Sequence, residues 1–236
     1  MHTRFSDALI ARKEAGFIPV IPDIKCISPK EGDLLRGRDP LAVAQLLARA
    51  GAPALSVVTE TKDFGGSLEL LRQLAKTITL PILRKDFITS CEDMTLSREC
   101  GAQAILLICA LHTLDSLTTL YNEALKIGLE PLVEAHTEEE LGWAGKIGAK
   151  LVGINNRDIL KLEKDDGTVS ATELLASHKP KNAILISESS IRTPAEGQAA
   201  IRAGADVLLI GTALWQADDM AASYQAFSRS SEIPPA

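Results

Sequence analysis

The chain has 236 residues, 46% of them hydrophobic, 24% charged and only 4% aromatic, with a formal net charge of −6. That length and apolar content suit one large folded domain and exclude intrinsic disorder. The acidic balance, with no long basic run, argues against nucleic acid as a partner, and the longest apolar run, Ala104 to Leu111, falls far short of the ~18 residues of a membrane helix.

In chain order, Met1 to Glu14 is polar, which predicts no secretory leader and instead an N-terminal helix within residues 1–16. Phe17–Ile24 is the first predicted strand. Four later segments share one shape, a Gly-Ala-type turn followed by a short apolar run. They are Gly51-Ala52 before Ala54–Val58, Gly101-Ala102 before Ala104–Cys109, Gly148-Ala149 before Leu151–Ile154, and Gly204-Ala205 before Val207–Ile210. Each glycine follows a helical stretch, where a left-handed residue is favoured just past the helix end. Between these runs lie Pro81–Leu83, Pro131–Val133 and Ala183–Ile186. None alternates polar with apolar, so the strands are expected to be buried on both faces, as in a parallel sheet.

The intervening stretches read as helices: Pro40–Arg49 after an Asp39 cap, Ser67–Ala75, Ser90–Cys100, Thr113–Ile127, Thr137–Ile147, Ser170–Ser177, Thr193–Ala203 and Asp218–Phe227. Several open on Ser, Thr or Asp with an acidic first turn. Glu138, Glu139 and Glu140 are read as a solvated helix start. Eight strands alternating with eight helices predict an α/β fold, a (β/α)₈ TIM barrel with a short N-terminal helical extension. The expected organisation is a single domain over 1–236, with the barrel at 17–227 and a frayed tail at 228–236. A doubly wound open sheet lacks support, because no Gly-x-Gly-x-x-Gly turn follows the first strand.

Cys26, Cys91, Cys100 and Cys109 form no CxxC pair and read as packed single thiols, which suits a reducing, cytoplasmic setting. His2, His112, His136 and His178 are scattered, so no metal site is expected.

In such barrels the chemistry sits at the C-terminal ends of the strands. Polar residues recur there: Asp23, Lys25 and Ser28; Thr59 and Glu60; Arg84, Lys85 and Asp86; Glu134 and His136; Asn155, Asn156, Arg157 and Asp158; Glu188, Ser189 and Ser190; Gly211 and Thr212. Residues two apart on a strand point the same way, so Asp23 and Lys25 share a face and could pair in the barrel mouth. Lys85 and Glu134 belong to the same alternating set of strands. Opposite charges crowded in a partly dry mouth suit acid–base work, and a Lys kept partly desolvated can be a competent acid at neutral pH. For Asp158 and Glu60 a structural salt bridge is the favoured reading. Ser189-Ser190-Ile191 and Gly211-Thr212-Ala213 follow the last two strands, where barrels often bind phosphate, and were each expected to enter a helix start. A phosphorylated small molecule is the implied ligand.

These residues, with the segments Ile24-Lys25-x-x-Ser28-Pro29, Leu55–Glu60, Phe64-Gly65-Gly66-Ser67-Leu68, Pro81–Ile88, Ala104–Ile108, Glu130–Glu134, Gly153–Asp158, Ser187-Glu188-Ser189 and Leu209–Thr212, resemble the indole-3-glycerol-phosphate synthase family over about residues 17 to 215. The resemblance implies ring closure, decarboxylation and dehydration of 1-(2-carboxyphenylamino)-1-deoxyribulose 5-phosphate, with no metal or organic cofactor. It implies Lys85 as general acid, Glu134 as its acid–base partner, and Lys25 at the substrate carboxylate with Asp23 beside it. Asn155 and Arg157 would position substrate and lysines, with Glu188 in support. Ser28, Ser189, Ser190, Gly211 and Thr212 would surround the phosphate, and Phe87 would wall the aromatic ring. A monomer or weak homo-oligomer is expected.

The chain departs from the family pattern at two site positions, and its N-terminal extension looks shorter than the family's. Asp23 stands where the family has Glu, so its carboxylate is retracted by ~1 Å. Ser190 stands where the family has Gly, and is strained if that position needs positive φ. Three alternatives stay open on the residues alone. One is a diverged paralogue that binds a phosphorylated ligand without synthase activity. Another is a different phosphosugar lyase or isomerase on this barrel; Asp23-x-Lys25 is similar to the Asp-x-Lys-x-x-Asp pattern of orotidine-phosphate-type decarboxylases, but position 28 is Ser. The third is a Schiff-base aldolase using Lys25 or Lys85.

Overall fold

A computed structural model describes residues 4–157 and 168–230. It opens with helix α1 (Phe5–Glu14), strand β1 (Val20–Ile24), a small antiparallel hairpin of β2 (Ile27–Ser28) and β3 (Gly32–Asp33), and α2 (Pro40–Arg49). Then come β4 (Leu55–Val58), α3 (Leu68–Thr77), β5 (Ile82–Lys85), α4 (Cys91–Glu99), β6 (Ala104–Ile108) and α5 (Leu114–Lys126). The chain continues through β7 (Glu130–Ala135), α6 (Glu138–Lys146), β8 (Leu151–Asn155), α7 (Ser170–Leu175), β9 (Ile184–Glu188) and α8 (Pro194–Ala203). It closes with β10 (Val207–Ile210), α9 (Thr212–Gln216) and α10 (Met220–Ser228). Eight parallel strands form a closed barrel in the order β1-β10-β9-β8-β7-β6-β5-β4, the (β/α)₈ architecture the sequence predicts.

Local signals explain where the helices start and stop. Asp39, Ser67, Ser90 and Thr137 accept backbone N–H bonds at the starts of α2, α3, α4 and α6, and Thr113 and Thr193 form capping boxes. Gly51, Gly101, Gly148 and Gly204 all take positive φ, between 70° and 118°, and turn the chain from helix into strand.

The period of two along each strand divides the core. Ala104, Leu106 and Ile108 of β6 fill the barrel, while Ile105 and Leu107 pack under the helices. Ile21, Leu83, Leu132, Leu151, Ile186, Val207 and Leu209 join the interior cluster. Phe5 and Leu9 of α1 belong to it too, so this helix plugs the barrel floor. Ser6 secures the plug by donating through both Oγ and its backbone N–H to the Glu130 carboxylate.

Several expected boundaries need correction. The first strand begins at Val20; Phe17 is exposed under the Arg12 guanidinium, and Ile18 donates instead to the Ser228 carbonyl. β6 stops at Ile108, because Cys109–Leu111 form a 3₁₀ turn. β5, β7, β8 and β9 run further than expected, which puts Lys85, Glu134, Asn155 and Glu188 on the strands themselves. The seventh helix ends at Leu175 and passes into a 3₁₀ turn, Ala176–His178. The last helix starts at Met220 and not at Asp218, because Asp219 caps it. Hairpin β2–β3 was not anticipated, whereas the helix start expected at Gly211-Thr212 is the short helix α9. Ser228 is buried and bonded to the Ile18 carbonyl, so it is not frayed. His2, Asp158 and the tail beyond Ser230 lie outside the described residues.

Candidate active site

The inner-face period that packs the barrel continues to its rim. Leu83 is followed two residues later by Lys85, Leu132 by Glu134, Ile186 by Glu188, and Ile21 by Asp23 and Lys25. Four strands thus deliver charge to one place.

Lys85 stands at the centre. Its Nζ lies 3.1 Å from Glu188 Oε2 and 3.5 Å from Glu134 Oε2. Both carboxylates are fully buried, and neither makes a well-aligned hydrogen bond. Burial pushes the Glu188 carboxyl up to about 7; Lys85 opposes that shift and the Glu134 charge adds to it. Burial alone would lower the Lys85 ammonium, but Glu188, Glu134 and Asp23 outweigh it and hold it above its ordinary value. The expectation was of a lysine made acidic by desolvation; here the three carboxylates outweigh burial.

Asp23, short as it is, is anchored. Its Oδ1 accepts from Ser56 Oγ at 2.6 Å, and its backbone carbonyl accepts from Trp215 Nε1. A Cβ added to Gly211 would come within 3.3 Å of the Asp23 carboxylate, so that glycine lets the two strand ends meet. The Lys25 ammonium sits 5.7 Å from the centre of the Phe64 ring, in cation–π range. Asn155 Oδ1 accepts from the Arg157 backbone N–H, and Arg157 Nε donates to Ser190 Oγ at 3.2 Å. Ser190 takes φ +59° and Ser189 φ +67°, so the anticipated strain is present and extends to the neighbour that was not suspected.

The cleft above these groups has two lobes that share Asp23, Lys25, Lys85, Arg157 and Ser189. The smaller, about 80 Å³, has apolar walls from Val58, Phe64, Phe87, Leu106 and Ile108. The larger, about 430 Å³, is rimmed by residues 189–192 and 210–213, and Lys30 and Arg192 add cations to Lys25, Lys85 and Arg157. An apolar slot for a flat ring beside a cationic basin for an anion is what this shape offers.

The expected phosphate geometry changes in two respects, at the Ser189–Ser190 turn and at Ser28. α8 does not begin at Ser190 but at Pro194, and the Thr193–Glu196 capping box satisfies its start. The Ser189–Ser190 turn therefore contributes as a left-handed turn and not as a helix start, whereas Gly211 does lead directly into α9. Ser28 is buried in the β2–β3 hairpin, where its Oγ accepts from the Glu31 N–H, and it lines neither lobe. Arg84 sits on the outer face of β5, bonded to Thr59, Ser97, the Asp93 carbonyl and Asp86. The salt bridge expected of Glu60 is not seen among the described residues; its carboxylate accepts the N–H groups of Lys62, Asp63 and Phe64 and shapes that loop. Asn156 ties β8 to β9 and α7 through Ser187, the Glu188 carbonyl and Thr172.

Sequence reasoning missed Phe64, Lys30 and Arg192 as site neighbours, and it placed His136 beside Glu134 at the rim without giving it a role. Phe64 lay within a recognised segment, but no spacing rule brings a loop aromatic over Lys25. Glu140, read as solvated, is half-buried against His136, to whose backbone N–H its carboxylate is bonded. Among the described residues no three His, Cys, Asp or Glu side chains cluster so as to hold a metal ion.

The sequence profile of the indole-3-glycerol phosphate synthase family matches residues 1–227. The chain is 48% identical over 209 residues to the indole-3-glycerol phosphate synthase of Pyrococcus furiosus, covering 89% of this chain and 91% of that one. It is 46% identical over 201 residues to the enzyme of the same name from Pyrococcus abyssi, covering 85% and 87%. With that of Listeria monocytogenes it shares 42% identity over 195 residues, covering 83% and 76%.

Proposed function

The chain belongs to the indole-3-glycerol phosphate synthase family, and from that premise we propose how its own residues carry the reaction. It is a carboxy-lyase of tryptophan biosynthesis that converts 1-(2-carboxyphenylamino)-1-deoxyribulose 5-phosphate to indole-3-glycerol phosphate.

The observation that carries the assignment of roles is Lys85 held between two buried carboxylates at the junction of an apolar and a cationic lobe. The aromatic ring lies in the apolar lobe between Phe64 and Phe87, and the phosphate lies against Ser189, Ser190, Gly211 and Thr212. Lys25 holds the ring carboxylate. The ring carbon bearing that carboxylate attacks the sugar carbonyl carbon, while Lys85 donates its proton to the carbonyl oxygen. The ring electrons return as the C–CO₂ bond breaks and carbon dioxide leaves. Lys85 takes a fresh proton from the solvent in the cleft and gives it to the new hydroxyl, which departs as water. Glu134 accepts the proton released as the pyrrole forms and returns it to Lys85, so that one solvent proton is consumed per turnover. Glu188 keeps Lys85 charged, Asp23 holds the mouth together through Ser56, and Asn155 and Arg157 orient the loop that faces the phosphate.

We read residues 1–236 as one catalytic unit, a monomer or weak homo-oligomer of the cytoplasm; the four free cysteines suit a reducing compartment. The test is fluorescence detection of indole-3-glycerol phosphate formed by wild type and by Lys85→Ala. Product in the wild type that vanishes in a folded Lys85→Ala supports these roles. Product at an unchanged rate in Lys85→Ala overturns them.

A further inference from the structure

We propose that His136 is a positioning residue of this reaction, its imidazole bracing the Glu134 carboxylate from the side opposite Lys85. The inference rests on the roles just given to Glu134 and Lys85. Glu134 is fully buried, and its two oxygens face different side chains: Oε2 is 3.5 Å from Lys85 Nζ and Oε1 is 3.5 Å from His136 Nε2, which is a cation when protonated. The other ring nitrogen, Nδ1, lies 3.6 Å from Glu140 Oε2 at the start of α6. Glu140 also accepts the His136 backbone N–H and is itself fixed by the Thr137 cap. Glu140, His136, Glu134, Lys85 and Glu188 thus form a row of alternating charge running from a helix start to the barrel axis.

His136 lines neither lobe of the cleft, so it acts through Glu134 and not on the substrate. The charged groups facing it are Glu134 on β7, Glu140 on α6 and Glu188 on β9, and the Cys109 thiol after β6 shares the fields of Glu140 and Glu134. Burial would lower the imidazole pKa, but the nearby Glu140, Glu134 and Glu188 carboxylates raise it above its ordinary value. Cys109, pushed up to about 12 by burial and then by Glu140 and Glu134, stays a neutral thiol. A charged ring shares the field of Glu134. Without it, the whole of that field falls on Lys85, whose proton is already held by three carboxylates.

The test uses the full-length enzyme. His136→Asn keeps a polar group but no charge. Its kcat is expected to fall about tenfold with KM changed less than twofold, and the acid limb of its pH–rate profile to move up by about one unit, the scale of one lost opposite charge within 4–6 Å. Should His136→Asn not fold, Glu140→Gln leaves the ring but removes its outer anchor and is expected to move the limb in the same direction. A folded variant whose profile superimposes on wild type overturns the proposal. A second readout needs no turnover: the imidazole ¹⁵N titration of His136 is expected to drop by about one unit in Glu134→Gln. A titration that Glu134→Gln leaves in place overturns the brace whatever the enzyme turns over. Absent turnover in wild type with the coupling intact overturns instead the roles given to Glu134 and Lys85.

Discussion

Gly153 tests whether the site works through close packing around Glu188. A Cβ added there would lie 2.4 Å from Glu188 Oε1 and 3.5 Å from Leu132 Cδ1, while ordinary contact begins at 3.4 Å. Leu132 can stay, but the carboxylate oxygen has to retreat by about 1 Å. Gly153 is not at positive φ, so Ala adds no backbone strain, and the effect is confined to that clash. Glu188 is fully buried on a barrel strand, and its retreat breaks the 3.1 Å contact that orients Lys85. A misplacement of ~1 Å at a reacting centre can lower the rate ~100-fold, or ~2.7 kcal/mol of barrel-mouth stabilisation of the transition state. Overpacking the interior also costs ~1–3 kcal/mol of stability, so the variant must be assayed below its own Tm. We expect folded Gly153→Ala to lose about two orders of magnitude in kcat by the fluorescence assay, with KM nearly unchanged. In a Glu188→Ala background the clash is gone, and Gly153→Ala should then cost no further activity. Wild-type kcat in a folded Gly153→Ala, or full additivity with Glu188→Ala, refutes the reasoning.

Three further outcomes follow from the same geometry. Glu188 has a folded pKa raised to about 7, above its ordinary 4.5, so its contribution to stability is fully present below pH 4.5 and is lost as pH rises through 7. Glu188→Gln should therefore gain in Tm relative to wild type as pH rises from 5 to 8; parallel Tm curves for the two proteins would refute this. Ser56→Ala leaves the buried Asp23 carboxylate without its 2.6 Å donor and should lose about 1–3 kcal/mol in urea denaturation, non-additively with Asp23→Ala. Ser190→Gly relieves about 1 kcal/mol of strain but adds freedom to the unfolded chain and removes the acceptor of Arg157 Nε, so Tm should barely move while KM rises several-fold; a fall in kcat at constant KM would contradict this role.

Much of this was legible in the chain because it is local. The caps at Asp39, Ser67, Ser90, Thr113, Thr137 and Thr193 and the left-handed glycines at 51, 101, 148 and 204 act within one turn of where they stand. Apolar runs too short for helices had to be strands, and runs apolar on both faces had to be parallel. The closed barrel, and polar chemistry at its C-terminal rim, follow from these. Lys85 and Glu134 were readable as partners because they share the inner face of strands in one alternating set.

Closure decided the rest. Arg84 and Lys85 are adjacent and equally cationic, and only the register of β5 between β4 and β6 turns one outward to Ser97 and the other inward to Glu188. Asp23 and Gly211 are far apart in sequence and meet because β1 pairs with β10. The left-handed Ser189 and Ser190, Phe64 above Lys25, and His136 against Glu134 depend on loops and helix starts placed by that ring of strands. Periodicity tells which face of a strand a residue occupies. Which residues meet across the barrel depends on the stagger of strands that are distant in sequence, and that is a property of the closed sheet and not of any segment.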